Sequence, residues 1–347
     1  MRSTSLLVLA GATAALASSS HKNMAKHRRS QPVEKRGSGY TLDTFAKGQD
    51  FLDLFDYAEG SDNGGVANYV SESTAKSDNL VWVNPKDDTV HLRVDNSTAS
   101  ASSRNAIKLT GKKTYDTGLF IFDIERQPQV CGAWPAVWMT SMTETWPAGG
   151  EIDIVEYVSR QTDNGFSVHT TSGCYAGSSG YSGTAMLAGD NALNCDADAT
   201  SAQGCGFRST QNVSAGIGAN YYKGGVYALE ISESGGISAW FFVRGKVPSD
   251  ITEKNPQPSS WTTPDMYISP SSCKPSTYFK NLGLIINTNL GGTWAEGVWN
   301  SDNSYAGQTD GSCASQTGYS TAAAYVLAEG QDFTHSYWKF RSLAIYK

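Results

Sequence analysis

TWPAGGEIDIVEYVS, residues 145–159, is the most informative stretch of the 347-residue chain. Its second half, EIDIVEYV (151–158), is rich in β-branched residues and follows Pro147, Gly149 and Gly150. That pattern reads as a turn feeding a strand. Three carboxylates, Glu151, Asp153 and Glu156, interrupt this otherwise apolar run. Strict alternation puts Glu151 and Asp153 on one face and leaves Glu156 on the other with Ile152 and Ile154. A β-bulge between Asp153 and Glu156 restores the phase and gathers all three on one face, and bulges are over-represented beside active sites.

Strand-like runs of the same kind recur on both sides, at 89–94, 118–125, 136–140, 166–170, 225–231, 237–244, 282–287 and 337–346. Most are bounded by Gly, Asn, Asp or Ser. In TVHLRV the period of two predicts Val90, Leu92 and Val94 in a core, with His91 and Arg93 facing away. The stretch 172–211 carries three of the six cysteines and reads as surface loops held by disulfides. Helical periodicity is weak after Ala17, and 17% charged residues with 35 glycines argue against coiled coils and helical repeats. The expected fold class is all-β: two antiparallel sheets packed as a β-sandwich or jelly roll.

Residues 1–36 read as processing segments. An apolar run from Leu6 to Ala17 follows Arg2 and ends in Ala-Leu-Ala, which marks 1–17 as a secretory signal peptide. The basic stretch 18–36 closes on Lys35-Arg36, a dibasic site, and is expected to be a propeptide. A single domain then fills 37–347, since no linker or charge block divides it. From Gly37 onward the chain holds 20 basic and 32 acidic side chains, a formal charge of -12. Such a balance repels polyanions and argues against nucleic acid, anionic lipid and acidic polysaccharide as partners, and a neutral ligand remains open. The six cysteines all follow the leader and include no CxxC pair, which favours disulfides over a zinc site and leaves their pairing open. Asn96-Ser97-Thr98 and Asn212-Val213-Ser214 are glycosylation sequons.

With the bulge in place, neighbouring carboxylates stand about 6.5 to 7 Å apart along the strand. Leaning side chains can close Glu151 and Glu156 to the separation of about 5 to 5.5 Å that a retaining glycosidase needs. Acids crowded this closely cannot all ionise freely, so at least one pKa must rise, as a general acid requires. Glu151 is read as nucleophile, Glu156 as general acid and then base, and Asp153 as the group between them that tunes the pair. Acids guarding an edge strand, or a calcium-binding cluster, are the alternatives that spacing leaves open. Trp134, Trp138 and Trp146 precede the acids, with Trp294 and Trp299 downstream. Their flat faces suit the apolar C–H faces of sugar rings.

GEIDIVE (150–156), preceded by CGAWPAVWMTSMTETWPAGG (131–150) and followed by FSVHTTSGC (166–174), closely resembles the active-site region of glycoside hydrolase family 16. The similarity is to its fungal laminarinase-like branch of endo-1,3(4)-β-glucanases. It extends over YTLDTFAKGQDFLDLFDY (40–57), GGVYALEISESGGISAWFFVRGKVPSDI (224–251) and GLIINTNLGGTWAEGVW (283–299). The resemblance implies a concanavalin A-like jelly roll and retaining hydrolysis, with nucleophile first and acid/base last in the EIDxxE motif. It implies sugar contacts from Trp134, Trp138, Trp146 and Trp294, and a site role for His169. It implies no cofactor and no metal. The expected protein is a secreted, monomeric endo-β-glucanase acting on neutral β-1,3- or mixed β-1,3/1,4-glucans. A non-catalytic lectin-like module and a cell-wall transglycosylase are the rival readings. One departure is Leu290-Gly291-Gly292-Thr293, where close fungal relatives often carry a Cys before Gly-Asp-Trp.

Overall fold

The structure, a computed structural model, describes residues 39–100, 102–302, 308 and 311–347. The expected signal peptide and propeptide lie outside the described residues. Period-two burial drives the architecture: Val90, Leu92, Phe120, Phe122 and Ile124 of one sheet meet Val137, Met139, Ile152, Ile154 and Phe166 of the other in a common core. All nine strand-like runs are strands, with ends shifted by a few residues.

One sheet orders its strands Thr184–Ala185, Cys205–Arg208, Gly165–His169, Glu151–Glu156, Ala133–Ser141, Leu282–Leu290, Lys108–Tyr115 and Phe55–Tyr57. The other runs Met266–Ile268, Gly236–Val243, Gly225–Ser232, Gly118–Arg126, Tyr337–Tyr346, Thr89–Arg93 and Val81–Asn84, with Leu42–Ala46 also paired to Tyr337–Tyr346. Pairing within both is antiparallel throughout. The fold class is the expected all-β jelly roll. No helix among the described residues is long and apolar enough to cross a membrane.

Two local expectations need correction. His91 leaves the strand on the side away from the core, yet it is only 7% exposed, because Trp82 stacks on it at 4.5 Å and Tyr337 at 5.5 Å. The 172–211 stretch is more than loop: Cys205–Arg208 pairs with Gly165–His169 and extends the first sheet. Cys195–Cys205 ties that strand to the loop before it, Cys174–Cys273 pins the loop's start, and Cys131–Cys313 joins the entry of Ala133–Ser141 to a helix near the C-terminus. The two sequons differ, since Asn212 is exposed while Asn96 is partly buried and donates to Thr334 Oγ1 at 3.0 Å.

Candidate active site

The bulge lies where the alternation requires it. Asp153 faces Ser167 and Glu156 faces Gly165, so three steps on one strand match two on its partner. Ile154 and Val155 both turn into the core, each fully buried, and Glu156 returns to the face of Glu151 and Asp153. A bulge strands ladder groups, which a buried chain must satisfy elsewhere. Asn164 does this: its Oδ1 accepts from Glu156 N–H at 3.0 Å and its Nδ2 donates to Ile154 C=O at 2.9 Å. Asn164 is itself fully buried, and its own N–H donates to Ser214 Oγ at 2.8 Å. Ahead of the strand, Gly150 has φ +78°, and a Cβ there would lie 2.5 Å from the Phe279 ring, so the turn closes only on glycine.

All eight residues proposed from the sequence lie in the neighbourhood of this strand. His169 is paired across the ladder with Glu151; its Nε2 stands 3.0 Å from Asp153 Oδ2 and 3.8 Å from Glu151 Oε1. Trp134 donates its indole N–H to Glu156 Oε1 at 2.8 Å, and the Trp146 indole lies near Glu151. Each outer glutamate thus has an indole beside it. Trp146 is 44% exposed, with its ring 6.1 Å from His169. Trp294 meets Trp134 edge-on at 5.8 Å. Gly292, at φ +80°, allows that approach, because a Cβ there would sit 3.2 Å from the Trp134 ring. Trp138 donates to Asn287 Oδ1 at 2.9 Å, while Trp299 is a core residue, 1% exposed.

Sequence reasoning missed the floor beyond Trp138. Asn287 Nδ2 donates to Tyr69 OH at 2.9 Å, Tyr69 donates to Asp62 at 3.0 Å, and Asp62 pairs with Lys108. The Lys108 ammonium lies 5.3 Å from the Trp138 ring centroid. Asn287 and Asn289, polar residues inside LGLIINTNL, were the available signal. Asn164 carried none, because its task exists only once the bulge does.

Burial, joined at the two glutamates by the repulsion of Asp153, pushes Glu151, Asp153 and Glu156 up to about 8. The indole donors and His169 work against this at the two glutamates. A proton is therefore retained within the cluster at neutral pH, which is the state a general acid needs. Glu151, Asp153 and His169 offer ligand atoms within 4.8 Å of one another. Two carboxylates and an imidazole fall short of the six to eight oxygens that calcium takes. What the arrangement supplies is three buried carboxylates on a common face, with a proton held among them.

A sequence model of the XgeA-like catalytic GH16 domain matches residues 55–346. The chain belongs to glycoside hydrolase family 16. A probable endo-1,3(4)-beta-glucanase of Aspergillus niger is 34% identical over 315 residues, covering 89% of this chain and 40% of the relative. An endo-1,3(4)-beta-glucanase of Arthroderma benhamiae is 31% identical over 91% of this chain and 66% of its own length. This family 16 chain is therefore shorter than those relatives. Among solved structures, GH16 Laminarinase 16A from Phanerochaete chrysosporium, with beta-glucans in both donor and acceptor sites, superposes with a TM-score of 0.76. It is 31% identical over 89% of this chain and 99% of its own. An elongating GH family 16 beta-1,3-glucosyltransferase superposes equally, at 0.76 and 30% identity over 89% of this chain and 100% of its own.

Proposed function

We propose that the chain is a secreted endo-β-glucanase that cleaves internal linkages of β-1,3- or mixed β-1,3/1,4-glucans with retention of configuration. The observation that carries this is the bulge, which sets Glu151, Asp153 and Glu156 on one face, with the Trp134 indole donating to Glu156.

Glu151, as carboxylate, attacks the anomeric carbon while Glu156 gives its proton to the departing glycosidic oxygen, leaving a glycosyl ester on Glu151. Glu156, now a carboxylate, takes a proton from water, whose oxygen attacks the same carbon and releases Glu151. Asp153, held by His169, lies between the two glutamates and raises the proton affinity of Glu156, so that Glu156 keeps its proton before the first step. Trp134, Trp138, Trp146 and Trp294 line the approach, and their faces orient sugar rings. The chemistry needs only carboxylates and water, with no cofactor.

Laminarin and barley β-glucan are expected to release reducing sugar, with little from cellulose. Proton NMR of the first products is expected to show the β-anomer; α-anomer first, or no release at all, defeats the reading, and a lectin-like module gives none. The likeness to an elongating glucosyltransferase supports a second reading, in which another sugar replaces water in the second step. Mass spectrometry then finds products longer than the starting oligosaccharide.

A further inference from the structure

Beyond the groove, a cleft of about 500 Å³ opens between Gln129, Ile217, Tyr319, Tyr325, Glu329 and Asp332. Its walls combine the partly exposed Tyr319 ring, backed by the buried Tyr325, with the carboxylates of Glu329 and Asp332 and, beside them, the Arg160 guanidinium. Tyr319 and Tyr325 stand edge to face at 5.7 Å, and each hydroxyl donates to one acid, Tyr319 to Glu329 and Tyr325 to Asp332, both at 2.6 Å. Both acids are exposed. The tyrosines occupy one oxygen of each and orient the carboxylate.

An independent feature adjoins it. On the short helix Gly216–Tyr221, Ile217 is 52% exposed and Tyr221, one turn on, 82%, with Tyr222 beside it at 48%. This exposure is built in: Asn220, on the inner side, donates to Gln127 C=O at 2.9 Å and to Gln129 Oε1 at 2.8 Å, and accepts from Gln127 N–H at 2.8 Å. The helix is fixed with its apolar face outward, and contiguous exposed apolar surface marks binding sites.

We infer that the cleft and the Ile217/Tyr221 face form a second binding site for a neutral glucan chain, apart from the catalytic groove. A polyhydroxylated, uncharged chain supplies what both walls lack: C–H faces for the rings and hydroxyl donors for the oriented carboxylates. A polyanion is disfavoured, since Glu329 and Asp332 outnumber Arg160, the cation of this lining. The glucan identity rests on the function proposed above. Two sites on one polymer raise its effective concentration at the groove, so long chains gain and short ones do not.

The test is electrophoresis in gels containing laminarin, with the Glu151→Gln protein and saturating laminaritetraose to fill the groove. Retardation is expected to persist under tetraose and to fall at least about fivefold on adding Tyr221→Ala or Tyr319→Ala, while Tyr319→Phe, which keeps the ring, retains it. Tyr221 is too exposed for its loss to unfold the chain. Hydrolysis of laminaritetraose by otherwise wild-type enzyme carrying Tyr221→Ala is expected to be unchanged. Retardation abolished by tetraose in the parent, or equal with and without Tyr221→Ala, overturns the second site. Because this assay needs no turnover, failure to hydrolyse laminarin would refute the proposed activity without deciding the second site.

Discussion

Glu125 on one sheet and Glu151 on the other expose similar fractions of their side chains, 18% and 15%, yet burial ends differently for each. At Glu125 burial works to raise the pKa, but Lys339 at 2.7 Å and the Arg341 guanidinium outweigh it and hold the carboxyl below its ordinary range. At Glu151 burial is reinforced by Asp153, and only His169 and an indole N–H oppose it. Burial is the largest influence at both sites, deeper at Glu151, and the sign of the neighbouring charge decides whether it prevails. A protein that leaves acids buried without cations accepts a loss of stability, and such a loss is tolerated where chemistry requires it.

The largest effect that could break this contrast is on turnover. Glu151→Gln and Glu156→Gln are each expected to lower kcat on laminarin by at least about a thousandfold, since the amide neither attacks nor donates a proton to a leaving group. Glu125→Gln is expected to leave kcat/KM within about twofold. Rates near wild type for either active-site variant would show that the cation-free acids do not work as chemistry. Comparable damage from Glu125→Gln would erase the distinction between the sheets.

Asn164→Ala comes next. It leaves the Glu156 N–H and the Ile154 carbonyl unpaired in the interior, at an expected cost of about 2 to 4 kcal/mol by urea unfolding. Because Glu156 then loses its fixed backbone, kcat is expected to fall about 10- to 100-fold with KM little changed. An Asn164→Ala enzyme that is destabilised but fully active per folded molecule would show that the clamp supports the fold and not the acid.

The strand pattern and the acid face were legible because both depend on local alternation, and the bulge was legible because only an extra residue makes Glu156 agree with Glu151. What was not legible depends on partners far along the chain. Asn164 serves a bulge ten residues earlier, and Tyr69, Asp62 and Lys108 reach Trp138 only through the pairing of Lys108–Tyr115 with Leu282–Leu290. His91 keeps the face that its period assigns but loses its solvent to Trp82 and Tyr337 from neighbouring strands. Cys205–Arg208 is four residues long and too Gly- and charge-bearing to stand out, and it becomes a strand because Gly165–His169 offers it an open edge.

A smaller effect concerns stability against pH. Glu151, Asp153 and Glu156 bind protons more tightly folded than unfolded, so between about pH 4.5 and about pH 8 the folded state holds more protons. Stability contributed by that protonation is present below the unfolded pKa and declines as pH rises through the window. Replacing Glu151 or Glu156 by Gln is expected to raise stability at pH 8 by about 1 to 2 kcal/mol and to change little at pH 4. Thermal melts at the two pH values read this directly. Equal gains at both would mean that packing, not ionisation, sets the cost.

Glu125 supplies the opposite and smallest slope. Its folded pKa is depressed, so its stabilisation is fully present above the ordinary glutamate range and is lost as pH falls through the folded value. Glu125→Gln is therefore expected to lower stability at pH 7 by about 0.5 to 1 kcal/mol and to matter little near pH 3. The ion pairs with Lys339 and Arg341 are partly open to solvent, so raising salt at pH 7 should shrink the deficit, whereas the gain from Glu151→Gln, set chiefly by burial, should persist. If salt moved both variants alike, the two acids would share one electrostatic environment, and their contrast would not come from the presence or absence of cations.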